Sequence, residues 1–182
     1  MEVKSKMSKQ ITIGLLAGCF SLVACVFSFN VVNVSAGNDE GCETTQCRKD
    51  LAAARAGTAA YHDLAAAVDD DFIEPFNPNP CFTLPDAGMG FHYIKPSRVN
   101  PTAVAAEPEL LVYMPDDEGR MQLVAVEYLV PGSPDDIPPV LFGHEFHYTP
   151  LVSGWTLHAW IWKNNPDGIF ADFNPKLRCP TL

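Results

Sequence analysis

The sequence predicts an α+β fold, with one N-terminal helix packed beside an antiparallel β-sheet or small β-barrel. Three observations carry this reading. Residues 47–70 are dense in alanine at helical spacing, and the remainder alternates short Val-, Leu-, Tyr- and Trp-rich runs with turn clusters. Sixteen prolines and twelve glycines exclude a helical bundle or coiled coil. At 182 residues the chain is long enough for one domain with a substantial core.

Residues 1–36 read as an address, either a signal peptide or an N-terminal membrane anchor. Lys4, Lys6 and Lys9 precede an apolar run over 11–34, and Val34-Ser35-Ala36 has the small-x-small form of an export cleavage site. Leu16-Ala17-Gly18-Cys19 and Leu22-Val23-Ala24-Cys25 also have the look of lipoprotein cleavage boxes, and the run is long enough to span a bilayer uncleaved. A cleaved signal, a lipidated cysteine and a retained anchor all give an exported protein, periplasmic or secreted. Membrane association is expected only through this segment. Residues 37–46 read as a flexible polar segment and 47–182 as a single α+β domain.

Charge narrows the partners. The formal net charge is −10 and no basic stripe exists, which excludes nucleic acid. Without residues 1–36 the balance is 9 basic to 21 acidic side chains, which suits solubility and cations.

The helix comes first. Leu51, Leu64 and Val68, with the alanines between them, give an apolar stripe at three-to-four spacing. Asp69-Asp70-Asp71 stops it, since negative charge is unfavourable at a helix C-terminus. Phe76-Asn77-Pro78-Asn79-Pro80 is a loop that cannot be helical. Strands are expected at 90–94, 140–142 and 156–162, and a β-hairpin at 110–114 and 121–130 around Pro115-Asp116-Asp117-Glu118-Gly119. Asn164-Asn165-Pro166-Asp167-Gly168 is a turn, and an irregular aromatic segment follows it.

Four cysteines lie beyond residue 36, namely Cys42, Cys47, Cys81 and Cys179, and four cysteines allow three pairings. Export favours disulfides, and the expected pairs are Cys42–Cys47 and Cys81–Cys179. The rival, a four-thiolate zinc site, lacks any C-x-x-C pair.

Ionisable residues interrupt the apolar strands. Parity places His158 with Trp160 and Trp162, Glu127 with Leu123, Ala125 and Leu129, and His92 with Ile94. Together with His147, these residues make a candidate divalent metal site of His92, Glu127, His147 and His158, for zinc, copper, iron or manganese. An open position would permit hydrolytic or oxygen chemistry, with Glu127 or an unliganded histidine as acid/base. The bland alternative is a set of separately hydrogen-bonded or solvated residues, because no pair has ligand spacing. In His144-x-x-His147 the two side chains would point apart in a strand. His62 reads as a surface or packing residue of the helix. Ser153 lacks a nucleophile elbow, no phosphate-cradling glycine loop exists, and the acidic turns lack calcium-loop spacing.

Gly88-Met89-Gly90-Phe91-His92-Tyr93, Leu123 through Pro131, Phe142 through His147, Leu157 through Trp162 and Asn165-Pro166-Asp167-Gly168-Ile169-Phe170 resemble segments of a group of uncharacterised exported bacterial proteins. The resemblance covers about residues 58–179. It implies a bacterial envelope or secreted protein, supports the Cys81–Cys179 pair, and implies polar residues at the places of His92, Glu127, His147 and His158. His144 is less typical of the group. The resemblance carries no known reaction, so no catalytic residue transfers. The functional expectation is an exported protein that binds a divalent metal or small ligand through a His/Glu pocket. The alternative is a non-catalytic envelope binding or structural domain that uses a Trp-rich surface.

Overall fold

The computed structural model describes residues 41–76 and 81–180. The segment 1–36, expected to direct export, and most of the loop expected over Phe76–Pro80 lie outside the described residues. The fold is α+β: a broken N-terminal helix lies with a strongly curled antiparallel sheet that forms a half-barrel.

Helix α1 spans Thr45–Thr58, and the Thr44 hydroxyl caps it by accepting from the Cys47 amide at 3.0 Å. Cys47, Leu51, Ala54 and Thr58 are its buried stripe, at spacings of four, three and four. The chain then tightens into a 3-10 turn at Ala59–His62 and restarts as α2, Leu64–Asp69. The single helix expected over 47–70 is therefore interrupted. Asp63 makes the break, because its backbone is extended and its carboxylate caps α2 by accepting from the Ala65 amide. The helix end at Asp69 agrees with the acidic stop.

Gly57 is required rather than merely tolerated. A Cβ there would lie 2.0 Å from the Ala106 carbonyl oxygen, so the connection over residues 95–109, between the second and third strands of the sheet, can cross the helix only at glycine.

The sheet contains β1 (Cys81–Leu84), β2 (Ala87–Ile94), β3 (Leu110–Pro115), β4 (Met121–Pro131), β7 (His147–Thr149) and β8 (Gly154–Ala159), in the order β1-β2-β3-β4-β8-β7. Between them, β5 (Val140–Leu141) and β6 (His144–Glu145) pair as a small separate ribbon. Register shifts at Phe82/Thr83 and Val112/Tyr113 add local twist. The predicted hairpin is β3–β4. The strand expected over 156–162 ends instead at Ala159. Beyond it Trp160 turns away, with its amide donating to the Ile169 carbonyl and its indole to that of Ala171.

One sheet face carries the core. Leu111, Tyr113, Val126, Tyr128, Leu157 and Ala159 join the buried helix residues in a single cluster. Each such side chain contributes roughly 1.5–3 kcal/mol on burial. Tyrosine hydroxyls are satisfied locally, Tyr113 donating to the Tyr61 carbonyl and Tyr128 to that of Ala105. Trp155 and Trp160 are buried and Trp162 is half-buried, so the indoles belong to this packing and do not form a surface platform.

The two cysteine pairs are formed as expected, Cys42–Cys47 and Cys81–Cys179. The second ties β1 to the chain end across 98 residues. The C-terminal segment is pinned a second time, where Gly88 and Asn174 exchange backbone hydrogen bonds.

Candidate metal centre

The opposite sheet face holds the polar cluster, and pairing explains why its members meet. Glu127 on β4 stands directly across from His158 on β8. His92 on β2 pairs with Val112 and reaches over β3 from the other side. Period-two alternation puts His92 with Ile94, Glu127 with Leu129, and His158 with Thr156 on this face. Strand β4 is buried from Leu123 to Val130, so both of its faces are covered and Glu127 is not the solvated strand carboxylate of the bland reading.

Gly90 makes room for β2 here. Its φ is +116°, and a Cβ would lie 2.8 Å from the Tyr113 carbonyl oxygen and 2.9 Å from Val112. Only glycine permits that approach two residues before His92.

The candidate donor atoms converge. His92 Nε2 lies 3.4 Å from His158 Nε2 and 3.4 Å from Glu127 Oε2, and His158 Nε2 lies 3.8 Å from the same oxygen. Bonds of 2.0–2.1 Å to a tetrahedral zinc would set such atoms roughly 3.3–3.4 Å apart, whereas octahedral geometry at similar bond lengths would bring them to about 3 Å. Two edges fit the tetrahedron, and the third exceeds it by a few tenths of an ångström. Both imidazoles are buried, and their Nδ1 atoms lack a well-formed hydrogen bond.

Burial sets the protonation of all three groups. Desolvation lowers His92 to about 4, partly opposed by the Gly90 backbone. His158 falls well below the ordinary histidine value through desolvation and the neighbouring His92 and His147. Desolvation, with the charges of Asp172 and Glu109, raises Glu127 to about 8. At neutral pH the imidazoles are therefore free bases, ready to donate lone pairs, and Glu127 holds a proton that a cation would displace.

His147, the fourth expected ligand, stands one step out. Its side chain is 47% exposed, and its Nε2 lies 3.0 Å from Thr156 Oγ1 and 3.5 Å from Asp172 Oδ1. His144 is elsewhere, bonded to the Gly41 carbonyl and packed on Phe170. His62 packs edge-on against Trp162.

Asp172 was not foreseen. Its Oδ1 lies 3.8 Å from His158 Nδ1, on the side away from the ligating nitrogen. Asn165 and Asn174 hold the segment that carries it, through side-chain bonds to the Phe173 and Asn164 carbonyls. Carboxylates beside the distal nitrogen of a ligating histidine orient the ring in metal sites. The segment has no periodicity, so the sequence offered no signal for it.

The cluster floors a cavity of about 560 Å³. Phe76, Phe82, Leu110, Leu129, Leu151 and Phe173 give it apolar walls, and the Phe82 ring meets His92 edge-on at 5.3 Å.

Compared with known proteins, the chain matches no family model, no curated protein and no solved structure. The assignment therefore rests on the geometry of this chain alone.

Proposed function

We propose that the protein is an exported bacterial protein that binds one divalent transition metal, zinc by preference, through His92, Glu127 and His158. The fourth coordination position opens onto the apolar cavity, where a small ligand would sit. The observation that carries this reading is the convergence of two imidazole nitrogens and one carboxylate oxygen, all within 4.8 Å of one another, in a buried hollow. The near-tetrahedral edges favour zinc over manganese or octahedral iron. Two disulfides support an oxidising compartment. Among the described residues no helix is long and apolar enough to cross a membrane. His147 and Asp172 orient the floor from the rim and do not ligate.

The test is elemental analysis and zinc titration of protein purified without a His tag. Near-stoichiometric metal is expected. His92→Ala and His158→Ala should each weaken binding by more than about a hundredfold, beyond the loss typical of an outer partner. Wild-type protein that binds zinc no better than these variants would overturn the reading.

A further inference from the structure

We infer that the ligand of the cavity is an uncharged, largely apolar molecule bearing a single oxygen donor, a hydroxyl or carbonyl, which it presents to the metal. The inference rests on the metal reading above and goes beyond it by naming the occupant. Two arguments carry it, charge and shape.

Two neutral imidazoles, the Glu127 carboxylate and a divalent cation leave one positive charge. Asp172, 3.8 Å from His158 Nδ1, is a second acidic side chain beside the floor. An anionic head would be brought against Glu127 and Asp172 in a site shielded from water. A cationic head would face the metal itself. A neutral oxygen completes the coordination without either repulsion.

The cavity is a mostly apolar hollow. A volume of about 560 Å³ falls within the range of small-molecule sites, roughly 300–1,000 Å³. His147, Thr149, Thr156 and Asp172 form one linked polar group in the lining, and most of the remaining lining is aromatic and aliphatic. At the mouth, Leu151 sits on the 3-10 turn Pro150–Val152 with 67% of its surface exposed, although it lines the cavity. An apolar tail leaving the hollow would cover it.

Calorimetry of the zinc-loaded full-length chain with the alcohols from 1-butanol to 1-octanol tests this, with octanoate as the charged counterpart. Affinity should rise about fourfold per methylene until the cavity is full, the factor expected from burying one methylene. Octanoate should bind at least about tenfold more weakly than 1-octanol. In the cobalt-loaded protein, 1-octanol should change the visible spectrum, which reports the donor set directly. Leu151→Asp should weaken 1-octanol and leave zinc affinity unchanged. If zinc binds while alcohols show no dependence on chain length, or octanoate binds as well as 1-octanol, the occupant inference fails and the metal site stands. If zinc does not bind, both fall.

Discussion

Glu127 and His158 are direct cross-strand partners on β4 and β8, and the carboxylate oxygen of one lies 3.8 Å from Nε2 of the other. Register thus fixes two of the three candidate ligands. A one-residue slip of β8 would turn His158 into the core and Leu157 into the cavity.

Asp172 is the residue whose removal separates orientation from ligation. Asp172→Asn keeps the shape and removes the charge beside His158. Zinc affinity should fall by about 10–100-fold, with the melting temperature of the metal-free protein little changed. Zinc titration beside thermal unfolding in chelator distinguishes this from a general loss of fold.

Gly90→Ala should injure the same site through the backbone. It places a Cβ at positive φ against the Tyr113 carbonyl, at a cost of about 1–3 kcal/mol. Because His92 is two residues away, zinc binding should weaken too. Gly57→Ala is its control: it should destabilise through the Ala106 carbonyl although alanine favours helix, yet leave zinc affinity intact. Denaturant unfolding with zinc titration of both variants checks the pair.

Stability without metal should carry a pH signature from Glu109. This buried carboxyl accepts from the Leu129 amide at 3.1 Å, and desolvation raises it from 4.5 to about 7. A raised folded value means that its stabilising contribution is complete below pH 4.5 and lost as pH climbs through 7. Glu127 acts in the same direction up to about 8, while His92, depressed to about 4, acts oppositely, its contribution lost as pH falls below 6.5. Relative to wild type, Glu109→Gln should gain up to about 3 kcal/mol between pH 4.5 and 7 and no more above it. Denaturant unfolding in chelator across that interval measures the difference, and parallel curves would refute it.

The two disulfides should differ in worth. Replacing both cysteines of the Cys81–Cys179 pair with serine opens a loop of 98 residues, against 5 for Cys42–Cys47. Chain entropy assigns roughly 4–5 kcal/mol to the first and roughly 2 kcal/mol to the second. Chemical denaturation of the two double variants tests the ranking.

The sequence carried the strand-borne part of the site because alternation is a strong rule. His92, Glu127 and His158 each interrupt an apolar run, and parity alone puts each on a defined face. It could not place His147 one step outside the ligand cluster, because β7 has only three residues and no pattern of its own. Asp172 lies in a loop held by the Asn165 and Asn174 side chains, and such bonds leave no period to read. The helix break at Asp63 was hidden by alanine propensity. A tertiary bond, Tyr113 hydroxyl to Tyr61 carbonyl, supports the local departure from the helix.

The Cys81–Cys179 bond joins the strand bearing Phe82 to the segment bearing Asp172 and Phe173, and all three residues line one hollow. The floor of the hollow is built by strands alone, whereas the lining that includes Asp172 and Phe173 is tied to β1 through a bond that depends on thiol oxidation. Reduction would leave that segment held at Gly88–Asn174 but free to shift, bringing water nearer to the two imidazoles.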